Sequence, residues 1–229
     1  MEIRIDSLLE GAERAEGTVV IIDAYRAFTT AAIAFTRGVQ KIILVADVDE
    51  ARGLRRRGLA DVSVGEVDGI KPDGFDFGNS PFELSRADLE GKVLVQRTSA
   101  GTVGVSAATK AERIFAGSLV TAGATAQAIL QSAPNLVTIV AMGDGGRVRT
   151  DEDELCALYI RNLLQGRAPD RDAVRSMVLS GEQSQKYGDP RLPHFHTEDR
   201  DIAVQVDSVS FAIPVRREDG LLVARSQAV

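Results

Sequence analysis

Short apolar runs recur along this chain with helix-sized stretches between them, and that alternation limits the fold more than any other feature. Thr18–Ile22 (TVVII), Lys41–Ala46 (KIILVA), Val93–Val95, Ile114–Ala116 and Leu136–Met142 (LVTIVAM) are short and continuously apolar. Such runs suit strands buried on both faces, as in parallel sheets. Between them, Ala27–Arg37, Asp49–Arg57, Thr102–Lys110, Thr121–Gln131 and Asp151–Gln165 read as helices. Strand alternating with helix predicts a single three-layer α/β/α domain over residues 1–229, built on a mainly parallel sheet. The order strand, turn, helix, strand, helix over 18–57 returns over 92–131, with Thr29 and Thr36 matching Thr102 and Thr109. This leaves open a pair of duplicated half-domains. Further on, a helix is expected at Asp172–Leu179, then a Pro-rich loop, then strands at Ile202–Val206, Ser208–Pro214 and Leu221–Ala224. Asp219-Gly220 suits a hairpin turn, so the sheet should end in an antiparallel C-terminal edge.

With 44% hydrophobic and 26% charged residues, the chain can build its core without staples. Its single cysteine, Cys156, excludes an internal disulfide and a cysteine zinc site. A net charge of −6 and a pI near 5.1 argue against nucleic acid as partner. Arg52, Arg55, Arg56 and Arg57 follow Asp47, Asp49 and Glu50, an order that complements a helix dipole. No apolar run approaches the roughly 20 residues a bilayer span requires, and Met1–Gly17 reads polar throughout, without a signal peptide. The expected location is the cytoplasm.

Chemistry gathers at three predicted strand ends and in one loop. After the first strand come Asp23, Arg26, Thr29 and Thr30, at a helix start. A guanidinium can grip an oxyanion with paired hydrogen bonds, and helix amides add to it. After Val93–Val95 come Arg97, Thr98, Ser99, Gly101 and Thr102: a second arginine, hydroxyls, and a glycine that frees the backbone to turn. After Leu136–Met142, a Gly-rich turn leads to Thr150-Asp151-Glu152-Asp153-Glu154. Thr150 and Asp153 have capping-box spacing, yet four adjacent acids repel unless a cation, or Arg147 and Arg149, offsets them. The loop Val64–Pro81 reads as neither strand nor helix; it carries Glu66, Asp68, Asp73, Asp76 and Lys71, pinned by Phe75 and Phe77.

These blocks resemble the 2-phosphosulfolactate phosphatase family from about Thr18 to Pro214. Asp23–Thr30 matches its D-x-x-R-A-x-T-T element. Gly65-Glu66 with Gly74–Pro81 matches G-E…G-F-D-x-G-N-S-P, the most specific of the four. Thr98–Thr102 resembles its x-G-T element, and Glu152-Asp153 with Cys156-Ala157 its E-D-x-x-C-A helix start. The resemblance implies a Mg²⁺-dependent phosphatase associated with coenzyme M synthesis and a three-layer fold.

The expected reaction is hydrolysis of a small phosphohydroxyacid such as 2-phosphosulfolactate. Mg²⁺ would be held by some of Asp23, Glu66, Asp76, Glu152 and Asp153. Arg26 and Arg97 would clamp the phosphate, with Thr29, Thr30, Lys71, Asn79, Ser80, Gly101 and Thr102 around the substrate. Water attacks, or a hydroxyl from Thr98, Ser99 or Thr102. Asp47-Val48-Asp49-Glu50-Ala51 fails the aspartyl-nucleophile pattern at Ala51, and His194 and His196 sit in a loop without other ligands. A non-catalytic sensor for a phosphorylated or sulfonated metabolite is the alternative. The partner is then a small anionic molecule, with neither nucleic acid nor membrane, and a homodimer is left open.

Overall fold

The computed structural model describes Met1–Val229. In chain order the elements are β1 (Glu2–Ser7), α1 (Leu8–Arg14), β2 (Gly17–Ile22), α2 (Ala27–Thr36), β3 (Lys41–Val45), α3 (Val48–Arg56) and β4 (Val62–Gly65). Then come α4 (Pro81–Ser85), β5 (Val93–Arg97), α5 (Gly101–Ala107), β6 (Ala111–Gly117), α6 (Ala122–Ser132), β7 (Leu136–Ala141) and α7 (Asp151–Leu164). The chain closes with α8 (Arg171–Ser180), α9 (Thr197–Ala203), β8 (Phe211–Ala212), β9 (Pro214–Glu218), β10 (Leu221–Ala224) and β11 (Gln227–Ala228).

The expected α/β architecture is present: a nine-stranded sheet ordered β1-β7-β2-β6-β9-β10-β3-β5-β4, beside a two-stranded ribbon of β8 and β11. Alternate side chains of each central strand enter different cores, as the pleat requires. Val19 and Ile21 of β2 meet Ile42 and Leu44 of β3 under α1, α2, α4 and α5. Val20 and Ile22 point the other way, against α6 and α7, while Ile43 and Val45 pack with α3. These are the three layers.

Four placements differ from expectation. The antiparallel hairpin β9–β10 forms, with Asp219 and Gly220 at φ +50° and +83°, but lies in the middle of the sheet rather than at its edge. It pairs with β6 on one side and β3 on the other, joining two parallel halves. Its first strand is Pro214–Glu218, not Ser208–Pro214, and Ile202–Val206 is no strand: its first residues end α9. Gly65 and Val64, read as loop, are the end of β4, where Phe77 bridges back to Val64.

The segments β2-α2-β3-α3-β4 and β5-α5-β6-α6-β7 share one topology. Each places its first strand in one half and its next two in the other: β2 lies beside β6 and β7, and β5 beside β3 and β4. The units are therefore interlocked. The residue after β2 meets the start of α5, where Gly101 N–H donates to Asp23 Oδ2 at 2.8 Å.

Candidate active site

Asp23 is the floor of a cleft of about 390 Å³ at the carboxyl ends of β2, β5 and β7. Its carboxylate accepts from Ala27 N–H at 3.0 Å and Gly101 N–H at 2.8 Å, so it fastens the N-termini of α2 and α5 together. Burial pushes its carboxyl up to about 6; those two hydrogen bonds oppose the shift and nearby Glu66 adds to it. Glu66 accepts from Ser99 N–H (2.6 Å), Gly69 N–H (2.7 Å) and the Ser99 hydroxyl (3.1 Å), which ties the loop after β4 to the turn after β5.

Of the acids at the start of α7, each has its own place. Glu154 pairs with Arg149 and accepts from Ser7 Oγ. Asp153 does not close the expected capping box: Thr150 makes no side-chain cap. Asp153 accepts instead from Ala24 N–H (2.7 Å) and Gly143 N–H (2.8 Å), because the turns after β2 and β7 leave those amides without strand partners. Glu152 faces the cleft. Its Oε2 is buried without a hydrogen-bond partner, and burial raises its carboxyl to about 8. Asp153 is raised well above the ordinary range, first by burial and then by Glu152 and Asp23.

Arg26 is buried and lines the cleft. Its Nη1 donates to Asp199 Oδ2 at 2.8 Å and to the His194 carbonyl at 2.7 Å, and Phe195 covers the guanidinium at 4.6 Å. The peptide between Tyr25 and Arg26 is cis. Tyr25 donates to or accepts from Ser184 Oγ, and its ring packs on Tyr187, which meets Phe195 edge-on. Tyr187, Phe195 and the adjacent His194 of this aromatic wall come from the Pro-rich segment, and Tyr25 from the turn after β2.

Several expected site residues lie elsewhere. Arg97 does not line the cleft: its guanidinium donates to the Ala46 and Glu66 carbonyls and to Ser99 Oγ. Its Nε and Nη1 thus tie the segments after β3 and β4 to the turn after β5. Asp76 binds Ser63 N–H, Ser63 Oγ and Arg55 at the sheet's β4 edge, away from the cleft. Lys71 is exposed on the outer loop. Thr98 and Thr102 bond to each other, Thr29 donates to the Ala24 carbonyl, and the buried Thr30 hydroxyl has no partner; none lines the cleft. Ser80 caps α4 and donates to Asp199. Asp23, Arg26, Glu66, Asn79, Ser99 and Glu152 do come together, with the Asn79 Oδ1 buried and unpartnered. Unforeseen in the sequence are Asp199, the aromatic wall, and Lys186, which pairs with Asp144 at 3.0 Å.

Asp23, Glu66 and Glu152 supply hard oxygen donors suited to a divalent cation such as Mg²⁺, and the free Glu152 oxygen adds a ready ligand. No group of three or more His, Cys, Asp or Glu side chains stands close enough together to hold a metal ion by itself. Mg²⁺ does not demand one, since it commonly keeps several waters and uses one or two carboxylates plus substrate phosphate. A wider groove of about 630 Å³, beside α5 and β9, contains none of these carboxylates. No helix is long and apolar enough to cross a membrane.

The chain is similar to known proteins over most of its length. A probable 2-phosphosulfolactate phosphatase of Bacillus subtilis is 33% identical over 183 residues, covering 79% of this chain and 78% of that protein. One from Thermoplasma volcanium is 30% identical over 82% of this chain and 84% of its own length. One from Caldicellulosiruptor saccharolyticus is 37% identical over 66% and 64%. The family model described as 2-phosphosulpholactate phosphatase matches residues 4–190, and the chain belongs to that family.

Proposed function

We propose that the protein hydrolyses 2-phosphosulfolactate to sulfolactate and phosphate in the cytoplasm, with Mg²⁺. One observation carries the reading: a cleft at the carboxyl ends of three strands joins a buried arginine to three carboxylates, one with an oxygen that no protein group satisfies. Family membership supports the substrate.

In this reading Arg26 grips the phosphate oxygens, its fork suited to paired hydrogen bonds. One or two of Asp23, Glu66 and Glu152, with water and the substrate phosphate, would hold the cation, which would supply charge screening at phosphorus. A carboxylate of the same set orients the attacking water. The backbone amides that fix Asp23 and Glu66 keep these oxygens in place before substrate arrives, and such positioning is most of what phosphoryl transfer needs. Lys186 at the rim offers a second cation for the carboxylate or sulfonate end.

Phosphate release from 2-phosphosulfolactate is expected with Mg²⁺ present and is expected to stop with chelator. 2-Phospholactate is expected to be a poorer substrate. Undiminished turnover after exhaustive metal stripping removes Mg²⁺ from the mechanism. A preference for sugar phosphates or nucleotides over every phosphohydroxyacid overturns the substrate and spares the hydrolysis. Tight binding without turnover favours a sensor.

A further inference from the structure

Asp199 lies outside residues 4–190, the stretch the family model matches. Its neighbours Thr197, Glu198 and Arg200 form an ordinary polar helix start. Yet Asp199 is wholly buried and three donors converge on its two oxygens. Oδ2 faces Arg26 Nη1 at 2.8 Å; Oδ1 accepts the Ser80 hydroxyl at 2.6 Å and Phe82 N–H at 3.0 Å. One carboxylate thus joins the turn after β2, the start of α4 and the helix α9.

A buried ion pair is a poor source of stability, because desolvating both charges offsets most of their attraction. Its geometric effect is larger. An arginine has several rotatable bonds to fix, and this one stands near the acidic floor, where Asp23 attracts it. Without an anchor the guanidinium would swing onto that carboxylate and cover it. Here Nη1 is pinned from two sides by Asp199 and the His194 carbonyl, and Phe195 blocks one face.

We propose that Asp199 is a positioning residue for the reaction: through its anchor on Ser80 and Phe82 it holds Arg26 off the acidic floor, so that the free edge of the guanidinium meets the phosphate. This rests on the reading of Arg26 as the phosphate-gripping cation.

Asp199→Asn is the informative change. It can keep an acceptor for Ser80 and Phe82 while setting an amide against Arg26. Two quantities are measured with Mg²⁺ present: kcat/KM on 2-phosphosulfolactate and the Kd for inorganic phosphate. Both are taken for wild type, Asp199→Asn, Arg26→Gln and the double variant, with circular dichroism melts alongside. Asp199→Asn should worsen both by roughly 10–100-fold with a cooperative melt retained. The double variant should match Arg26→Gln, because Asp199 acts only through Arg26. Equal losses in both backgrounds mark a merely structural residue and overturn the proposal, as does an unchanged Asp199→Asn. Should Asp199→Asn not fold, Ser80→Ala keeps the charge and loosens its anchor; a loss of several-fold confined to chains with Arg26 is expected, and a loss shared by both backgrounds overturns the proposal. A wild type that binds phosphate but turns over no phosphomonoester sinks the phosphatase reading alone, since the binding cycle still reports the coupling. A wild type that binds no phosphate sinks both.

Discussion

Three carboxyl groups, Asp23, Glu152 and Asp153, are held above the usual carboxylate range, each chiefly by burial. The consequence for stability has a definite sign. Groups that bind protons more tightly folded than unfolded stabilise the fold below their unfolded pKa, and this contribution is lost as pH rises through the folded values. Without divalent cation, the melting temperature should therefore fall from about pH 4 up to about pH 8, the window set by the usual carboxyl range and by Glu152 near 8. Mg²⁺ should oppose the fall, and its thermal shift should grow from pH 5.5 to pH 8, because ligating carboxylates must be deprotonated. Melts with and without chelator check this; a Mg²⁺ shift that is equal at both pH values, or absent, removes these acids from cation binding. At this scale the sequence was half legible. The convergence of Asp23, Glu66 and Glu152 on one cleft is legible because strand ends of an open α/β sheet lie together. The placement of Arg97 and Asp76 outside the cleft is not legible, because both bond backbone groups that only tertiary pairing brings to them. Asp199 was invisible: its partners are Arg26, Ser80 and Phe82, far away in the chain, and no local spacing connects them.

At the scale of elements, the central strands and long helices followed from apolar periodicity, while the two missed strands are the two edges of the sheet. β1 alternates Glu2, Arg4 and Asp6 with apolar residues, and β4 has only four residues. Charged and short strands are how edges resist mispairing, and those features erase the apolar signal. Ile202–Val206 reads as a strand through the alternation of Ile202, Val204 and Val206, yet only Ile202 and Ala203 have regular structure, as the end of α9. The start of α5 is the element on which the cleft most depends. A methyl on Gly101 would come 2.9 Å from both Asp23 Oδ2 and Ala27 Cβ. Gly101→Ala should force α5 away from Asp23, cost about 1–3 kcal/mol as overpacking does, and lower kcat/KM at least about tenfold. Denaturant melts and phosphatase assays check it; wild-type values in both would mean that this approach can relax freely.

For the whole molecule, the predicted layers and parallel pairing were legible because each run declared burial on two faces. The position of the hairpin was not, since no local pattern says which gap in a sheet a late segment will enter. β9–β10 supplies the only pairing between the halves of the sheet, with β6 on one side and β3 on the other. Removing residues 208–229 should abolish the cooperative melt and send the protein to aggregates in gel filtration, because two inner strands become open edges. A truncated chain that stays monomeric and melts sharply would show that the helices alone hold the halves together.

The interlocked strand exchange also sets a timetable for synthesis. As the chain leaves the ribosome, β2 has no neighbour until β6 is made, and β3 none until β5. The centre of the finished sheet is the last part of it to be synthesised. For most of its translation the nascent protein must carry unpaired parallel strands, the slowest kind to close. The same sequence order that sets the cleft between two interlocked segments thus leaves the newborn chain exposed to mispairing, the situation chaperones relieve.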